Sequence, residues 1–175
     1  NALHIYAGRH PLLELCTDNF VGCSRNKATA QSNNEERTIN SIGLITGANS
    51  SGKSAIIQQT ALITIMAQCG SFVSADSAVI GVCDKVLTRM HQKESLSCKQ
   101  SSFMTELMQL KRSIKYSTQR TLLLLDEVGS GTDTNDGAGL FAASIKYFLR
   151  RGLSCPKVLA ASHFNGEETY YFKPD

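Results

Sequence analysis

Ile42-Gly43-Leu44-Ile45-Thr46-Gly47-Ala48-Asn49-Ser50-Ser51-Gly52-Lys53-Ser54 is the stretch on which the reading of this chain turns. Its first five residues form a β-branched apolar run, the composition of a strand. Residues 47–54 then fit the spacing G-x-x-x-x-G-K-[ST] in full. The chemistry fits as well as the spelling. The glycines let the loop fold tightly, so that successive backbone N–H groups of Gly47, Asn49, Ser50, Ser51 and Gly52 face one concave anion site. A helical pattern runs from Lys53 to about Cys69, and its N-terminus adds partial positive charge to that site. Lys53 is expected to neutralise the β- and γ-phosphates of a nucleotide such as ATP. The Ser54 hydroxyl is expected in the shell of Mg²⁺.

A phosphate loop of this kind needs a carboxylate site, expected at the end of a buried strand neighbouring the first. Thr121-Leu122-Leu123-Leu124-Leu125 is apolar without alternation, as in a strand covered on both faces of a parallel sheet. Asp126 and Glu127 follow it. Asp126 is expected to hold Mg²⁺ through water, and Glu127 to polarise the attacking water as general base. Gly129-Ser130-Gly131-Thr132-Asp133-Thr134-Asn135-Asp136-Gly137 is then a glycine- and hydroxyl-rich turn into a helix, with Asp136 the expected cap. His163 sits just after a last strand, Lys157-Val158-Leu159-Ala160-Ala161. On the residues alone it is either a structural histidine or a contact to the γ-phosphate.

Working outward, Phe103, Leu107, Leu110 and Ile114 recur at helical spacing. A second strand-like piece spans about Val79–Met90, and another helix about 137–151, with Leu140, Phe141, Ile145, Phe148 and Leu149 inward and Gly152 as its stop. Strands alternating with helices predict an α/β fold with a mostly parallel central sheet flanked by helices. The 175 residues, 42% of them hydrophobic, suit one domain or part of a larger one. The net charge of +3 is too mild to argue for nucleic-acid binding. No apolar stretch reaches the roughly 18 residues of a membrane span, so no membrane role is expected. The chain starts at Asn1, not at Met, and reads as an excised piece. Residues 24–41 are almost wholly polar and read as a surface loop. The six cysteines include no C-x-x-C pair and read as reduced thiols.

These elements, in this order, resemble the ATPase domain of the MutS family of DNA mismatch-recognition proteins. The resemblance begins at Ala7-Gly8-Arg9-His10-Pro11-Leu12-Leu13-Glu14, passes through the phosphate loop and Gly70-Ser71-Phe72-Val73-Ser74-Ala75, and continues at Ile80-Gly81 and Leu87-Thr88-Arg89. Ser101-Ser102-Phe103-Met104-Thr105-Glu106, Asp126-Glu127, Gly131-Thr132 and Ser162-His163-Phe164 complete it. It implies a P-loop, ABC-like ATPase, with ATP and Mg²⁺ as cofactors, that dimerises so that each site is shared. It also implies residue roles. Ser101 matches the serine that reaches the partner's nucleotide in trans. Phe20 matches the aromatic that stacks on adenine, Asn49 the loop asparagine, and His163 the switch-region histidine. Asn49–Ser54 and Gly152-Leu153-Ser154-Cys155-Pro156 look most like the meiotic branch, MutS homologue 5. That branch implies a MutS homologue 4-like partner, a nuclear location, and branched recombination intermediates such as Holliday junctions bound through domains outside this chain. The mismatch-repair branch implies a mispair instead.

The chain departs from the family pattern at Ala48 and Ser74, where proline is usual, and at Ser130 within Gly129-Ser130-Gly131. None of the three removes a catalytic group. Two other readings compete: another ABC-type P-loop ATPase or small-molecule kinase, and a nucleotide-binding module that hydrolyses little. Leu96-Ser97-Cys98-Lys99-Gln100 mimics the ABC signature only superficially, because its two glycines are replaced by Cys and Lys. Lys111, Arg112, Lys115 and Arg120 are expected on a solvated face.

Overall fold

The structure is a computed structural model, and it describes residues 2–16, 41–48, 50–90 and 102–162. In chain order the elements are β1 (Leu3–Tyr6), α1 (Pro11–Cys16), β2 (Ile42–Thr46), α2 (Lys53–Gln68), β3 (Ser77–Ile80) and β4 (Lys85–Arg89). They continue with α3 (Ser102–Tyr116), β5 (Thr121–Asp126), α4 (Thr134–Leu149), a 3₁₀ turn (Gly152–Ser154) and β6 (Lys157–Ser162). Four strands make a wholly parallel sheet in the order β2-β6-β5-β4, and β1 pairs antiparallel with β3 in a separate two-stranded ribbon.

The period-2 alternation of a strand explains how the leucine run organises the layers. All six residues of β5 are buried. Leu122 and Leu124 turn to one face, where they meet Ile57 and Ala61 of α2 and Ala161 of β6. Leu123 and Leu125 turn to the other, against Phe141, Ile145 and Phe148 of α4, with Ile114 of α3 alongside. Each fully buried leucine contributes about 1.5–3 kcal/mol, so β5 anchors both faces of a three-layer α/β/α stack. Thr60 and Thr64, buried in α2, return their hydroxyls to the carbonyls one turn back, at 2.9 and 2.8 Å.

The α/β architecture agrees with the sequence reading, and several details do not. The strand expected over 79–90 is two strands in different sheets. Gly81 donates to the Ala2 carbonyl at 2.7 Å, closing the ribbon, while Asp84 donates to the Arg120 carbonyl at 3.2 Å, opening the parallel sheet. β5 does not neighbour β2, because β6 lies between them. The cap of α4 is Asp133, whose carboxylate accepts from the Asn135 N–H at 3.2 Å; Asp136 falls within the first turn. At its other end α4 stops at Leu149, which is half-exposed and not inward-facing, and Gly152 at φ 53° opens the 3₁₀ turn. Lys111, Arg112, Lys115 and Arg120 are exposed, as expected. The described cysteines, Cys16, Cys69, Cys83 and Cys155, are free thiols. Among the described residues, no helix is long and apolar enough to cross a membrane. The polar segment 24–41 lies, apart from Ser41, outside the described residues.

Candidate nucleotide site

Parallel pairing brings the carboxyl ends of all four sheet strands to one edge: Thr46 beside Ser162, Ala161 beside Asp126, Leu125 beside Arg89. That edge is where open α/β sheets hold ligands. Both sequence signals therefore converge there. The loop leaves β2, and the carboxylate pair leaves β5 two strand spacings away, roughly 10 Å.

The loop turns the chain between Thr46 and Lys53. Ser50 at φ 61° and Gly52 at φ 92° lie in the left-handed region, which lets the turn close in so few residues. Gly52 is the N-cap of α2 and offers no side-chain acceptor, so no capping side chain competes for the first-turn N–H groups. Lys53 is only 6% exposed, and its Nζ donates to the Gly47 and Ala48 carbonyls, each at 2.7 Å. The ammonium thus lies against its own loop, held by neutral carbonyls that a phosphate would outbid. Ser54 is half-buried in the first turn of α2.

Across the edge, Asp126 is 4% exposed, and its Oδ1 has no hydrogen-bond partner among the described residues. An orphaned buried carboxylate oxygen is costly unless a ligand claims it. A hydrated cation fits it. No group of three metal-binding side chains occurs among the described residues, and Mg²⁺ characteristically keeps its waters and takes one or two carboxylates plus substrate phosphates. Glu127 is half-buried with φ 53°, a left-handed conformation rare for a side chain of its size. Its N–H donates to the Ala161 carbonyl, and its carbonyl accepts from the Ser130 N–H, both at 3.2 Å. The strained residue therefore follows directly on the orphaned one. His163, Asn49, Phe20 and Ser101, and the segment 96–100, lie outside the described residues.

Two functional-edge residues drew no role from the sequence. Arg89 ends β4 and is 4% exposed; Glu106 lies in the first turns of α3 and is 3% exposed. Arg89 Nη2 and Glu106 Oε1 are 2.9 Å apart, and Arg89 Nη1 donates to the Asp126 carbonyl at 2.9 Å. Glu106 Oε1 also accepts from the Gly129 N–H. A signal was present: Glu106 falls three residues after Phe103 and four before Leu110, a charge on an otherwise apolar helical face.

Strand, phosphate loop and helix, with an acidic strand end level with the loop, define a P-loop nucleoside-triphosphatase fold. Residues 43–170 match the MutS domain V family. The chain belongs to that family, as its ATPase domain. It is 41% identical over 165 residues to the DNA mismatch repair protein MutS of Clostridium kluyveri, covering 93% of this chain and 18% of the relative. The corresponding protein of Thermotoga petrophila is 41% identical over 162 residues, covering 93% and 19%. MutS protein homolog 5 of Saccharomyces cerevisiae is 39% identical over 170 residues, covering 93% and 18%. The chain thus spans about a fifth of the length of these relatives.

Proposed function

We propose that this chain binds and hydrolyses ATP as the motor domain of a MutS-type DNA clamp. The observation that carries the reading is the pairing, on one sheet edge, of a buried lysine facing its own loop with a buried carboxylate oxygen that has no partner among the described residues. Lys53 leaves the loop carbonyls for the β- and γ-phosphates, with the N–H groups of residues 47–54 cradling them. Ser54 and Asp126 would hold Mg²⁺, the first directly and the second through water. When bound, Mg²⁺ would supply charge neutralisation on the phosphates. Glu127 takes the proton of the attacking water. His163 would contact the γ-phosphate, Phe20 would stack on adenine, and Ser101 would reach a partner's nucleotide.

The test is Glu127→Gln in the full-length protein. The variant is expected to bind Mg-ATP within about threefold of wild type and to hydrolyse it about 10²–10⁴-fold more slowly, the usual worth of a general base. Equal turnover in both would remove Glu127 from that role.

DNA contact, dimerisation and location follow from the family reading. A dimer that closes on ATP and reopens on hydrolysis is expected, with DNA bound by regions outside this chain. The similarity to the bacterial mismatch-repair proteins supports mispair recognition. The Gly152–Pro156 turn, together with the near-equal similarity to the yeast homolog 5, supports a second reading. In it the protein is nuclear, pairs with a MutS homologue 4-like partner, and acts on meiotic recombination intermediates. Sedimentation of the Glu127→Gln protein with Mg-ATP separates the two. Tight self-association favours a homodimeric repair ATPase, and assembly only with the homologue 4-like partner favours the meiotic clamp.

A further inference from the structure

The buried Arg89–Glu106 pair has no evident reason to exist for stability alone. Taking two charges out of water costs about as much as their attraction returns, and apolar residues of similar volume commonly replace such a pair at no loss. What distinguishes this pair is what else it holds. Arg89 Nη1 takes the Asp126 carbonyl, and Glu106 takes the Gly129 N–H. The two ends of the turn that carries Glu127 are therefore gripped by two partners that also grip each other. Arg89 Nε–H remains a buried donor with no partner among the described residues, so the guanidinium is placed for this grip at some cost to its own hydrogen bonding.

The turn is crowded from two more sides. A methyl group added at Gly131 would meet the Phe103 backbone and Glu106 Oε2 at 3.3 Å, and one added at Gly129 would meet the Gly137 Cα and carbonyl at 2.5 Å. The first turn of α3 and the first turn of α4 thus bracket residues 129–131. Glu127, at φ 53°, keeps its left-handed conformation only while such neighbours over-determine it.

We propose that Arg89 and Glu106 are positioning residues for the hydrolysis inferred above, and this inference rests on that reading. By clamping the Asp126–Gly129 backbone they aim the Asp126 and Glu127 carboxylates, and they make that aim depend on where α3 sits. Neither residue is assigned a contact with nucleotide.

The experiment uses the full-length protein and the double variant Arg89→Met/Glu106→Leu, which removes both charges and leaves no uncompensated one. Three quantities are read: kcat for Mg-ATP, Kd for a fluorescent ATP analogue with Mg²⁺, and hydrogen exchange at the Gly129 amide. The expected result is a Kd within about threefold of wild type, a kcat reduced at least tenfold, and Gly129 exchange accelerated at least tenfold. A folded double variant with kcat within twofold of wild type overturns the inference. If the double variant fails to fold, Arg89→Lys decides: one ammonium cannot hold the Asp126 carbonyl and Glu106 in the same fork. Its kcat should fall severalfold at unchanged Kd, and an unchanged kcat overturns the inference. A wild type that does not turn over Mg-ATP overturns the hydrolysis reading itself and this inference with it. A normal kcat in the variants overturns only this one.

Discussion

Lys53 shows how much a single position carries. Its ammonium is buried without a carboxylate partner among the described residues, satisfied by two carbonyls of residues five and six places earlier. Those bonds tie the start of α2 back to the beginning of the loop. Replacing the side chain by methionine keeps most of its apolar stem and removes the charge. Lys53→Met should therefore fold normally yet lose about 10–100-fold in Mg-ATP affinity, the worth of one charge-assisted contact to phosphate, measured by titration of a fluorescent ATP analogue. An unchanged affinity would mean that the nucleotide is held elsewhere. The loop was legible in the sequence because its function lies in backbone geometry, which fixes residue type at fixed spacing. Arg89 and Glu106 were not, because their meaning arises only when β4, α3 and the turn after β5 meet in space.

Among the elements, β5 was legible throughout. Both of its faces are covered, so every residue from Leu122 to Leu125 is leucine whichever way it points. The β1–β3 ribbon escaped detection because its residues alternate between half-buried and exposed, and its pairing joins Leu3–Tyr6 to the distant Ser77–Ile80. The helix α4 and the turn before it make a paired prediction. Gly129→Ala forces a side chain into φ 90° and against the Gly137 backbone at 2.5 Å, whereas a methyl at Gly139 meets nothing within 4 Å. In urea unfolding, Gly129→Ala should destabilise by about 2–4 kcal/mol. Gly139→Ala should stabilise by about 0.5–1 kcal/mol, because it removes unfolded-state freedom at an open helical site. Equal effects at the two positions would contradict the close approach of the turn to α4.

At the scale of the whole molecule, the two ends of the parallel sheet do different work. The carboxyl end gathers the loop, Asp126 and the Arg89–Glu106 pair. The amino end is held by Asp84, whose carboxylate accepts from the Thr118 hydroxyl at 2.5 Å and the Thr121 hydroxyl at 3.1 Å. The Thr118 hydrogen bond, opposed by desolvation and helped by the Thr121 hydrogen bond and the charges of Lys85 and Arg120, holds its pKa below the ordinary 3.8. A depressed carboxyl stabilises the fold above its ordinary pKa and loses that contribution as pH falls through the lower, folded value. Wild type should therefore be more stable than Asp84→Asn at pH 7, and the gap should close as pH falls below about 4. Urea midpoints across that range would check it. The strand order β2-β6-β5-β4 was hidden from the sequence, since β6 comes last among the described elements and lies between the two strands that carry the site. A reading along the chain finds the parts of such a site, while long-range pairing decides which parts are neighbours.

Lys53 and Asp126 are proposed to receive a magnesium nucleotide at one edge of the sheet. A crystal structure of the full-length Glu127→Gln protein grown with Mg-ATP tests it most directly. The phosphates should lie within residues 47–54, with Lys53 Nζ moved from the Gly47 and Ala48 carbonyls onto them and Asp126 Oδ1 facing a water of the metal. Nucleotide bound with Lys53 still on its own loop carbonyls, or with Asp126 turned away from the metal, would contradict it.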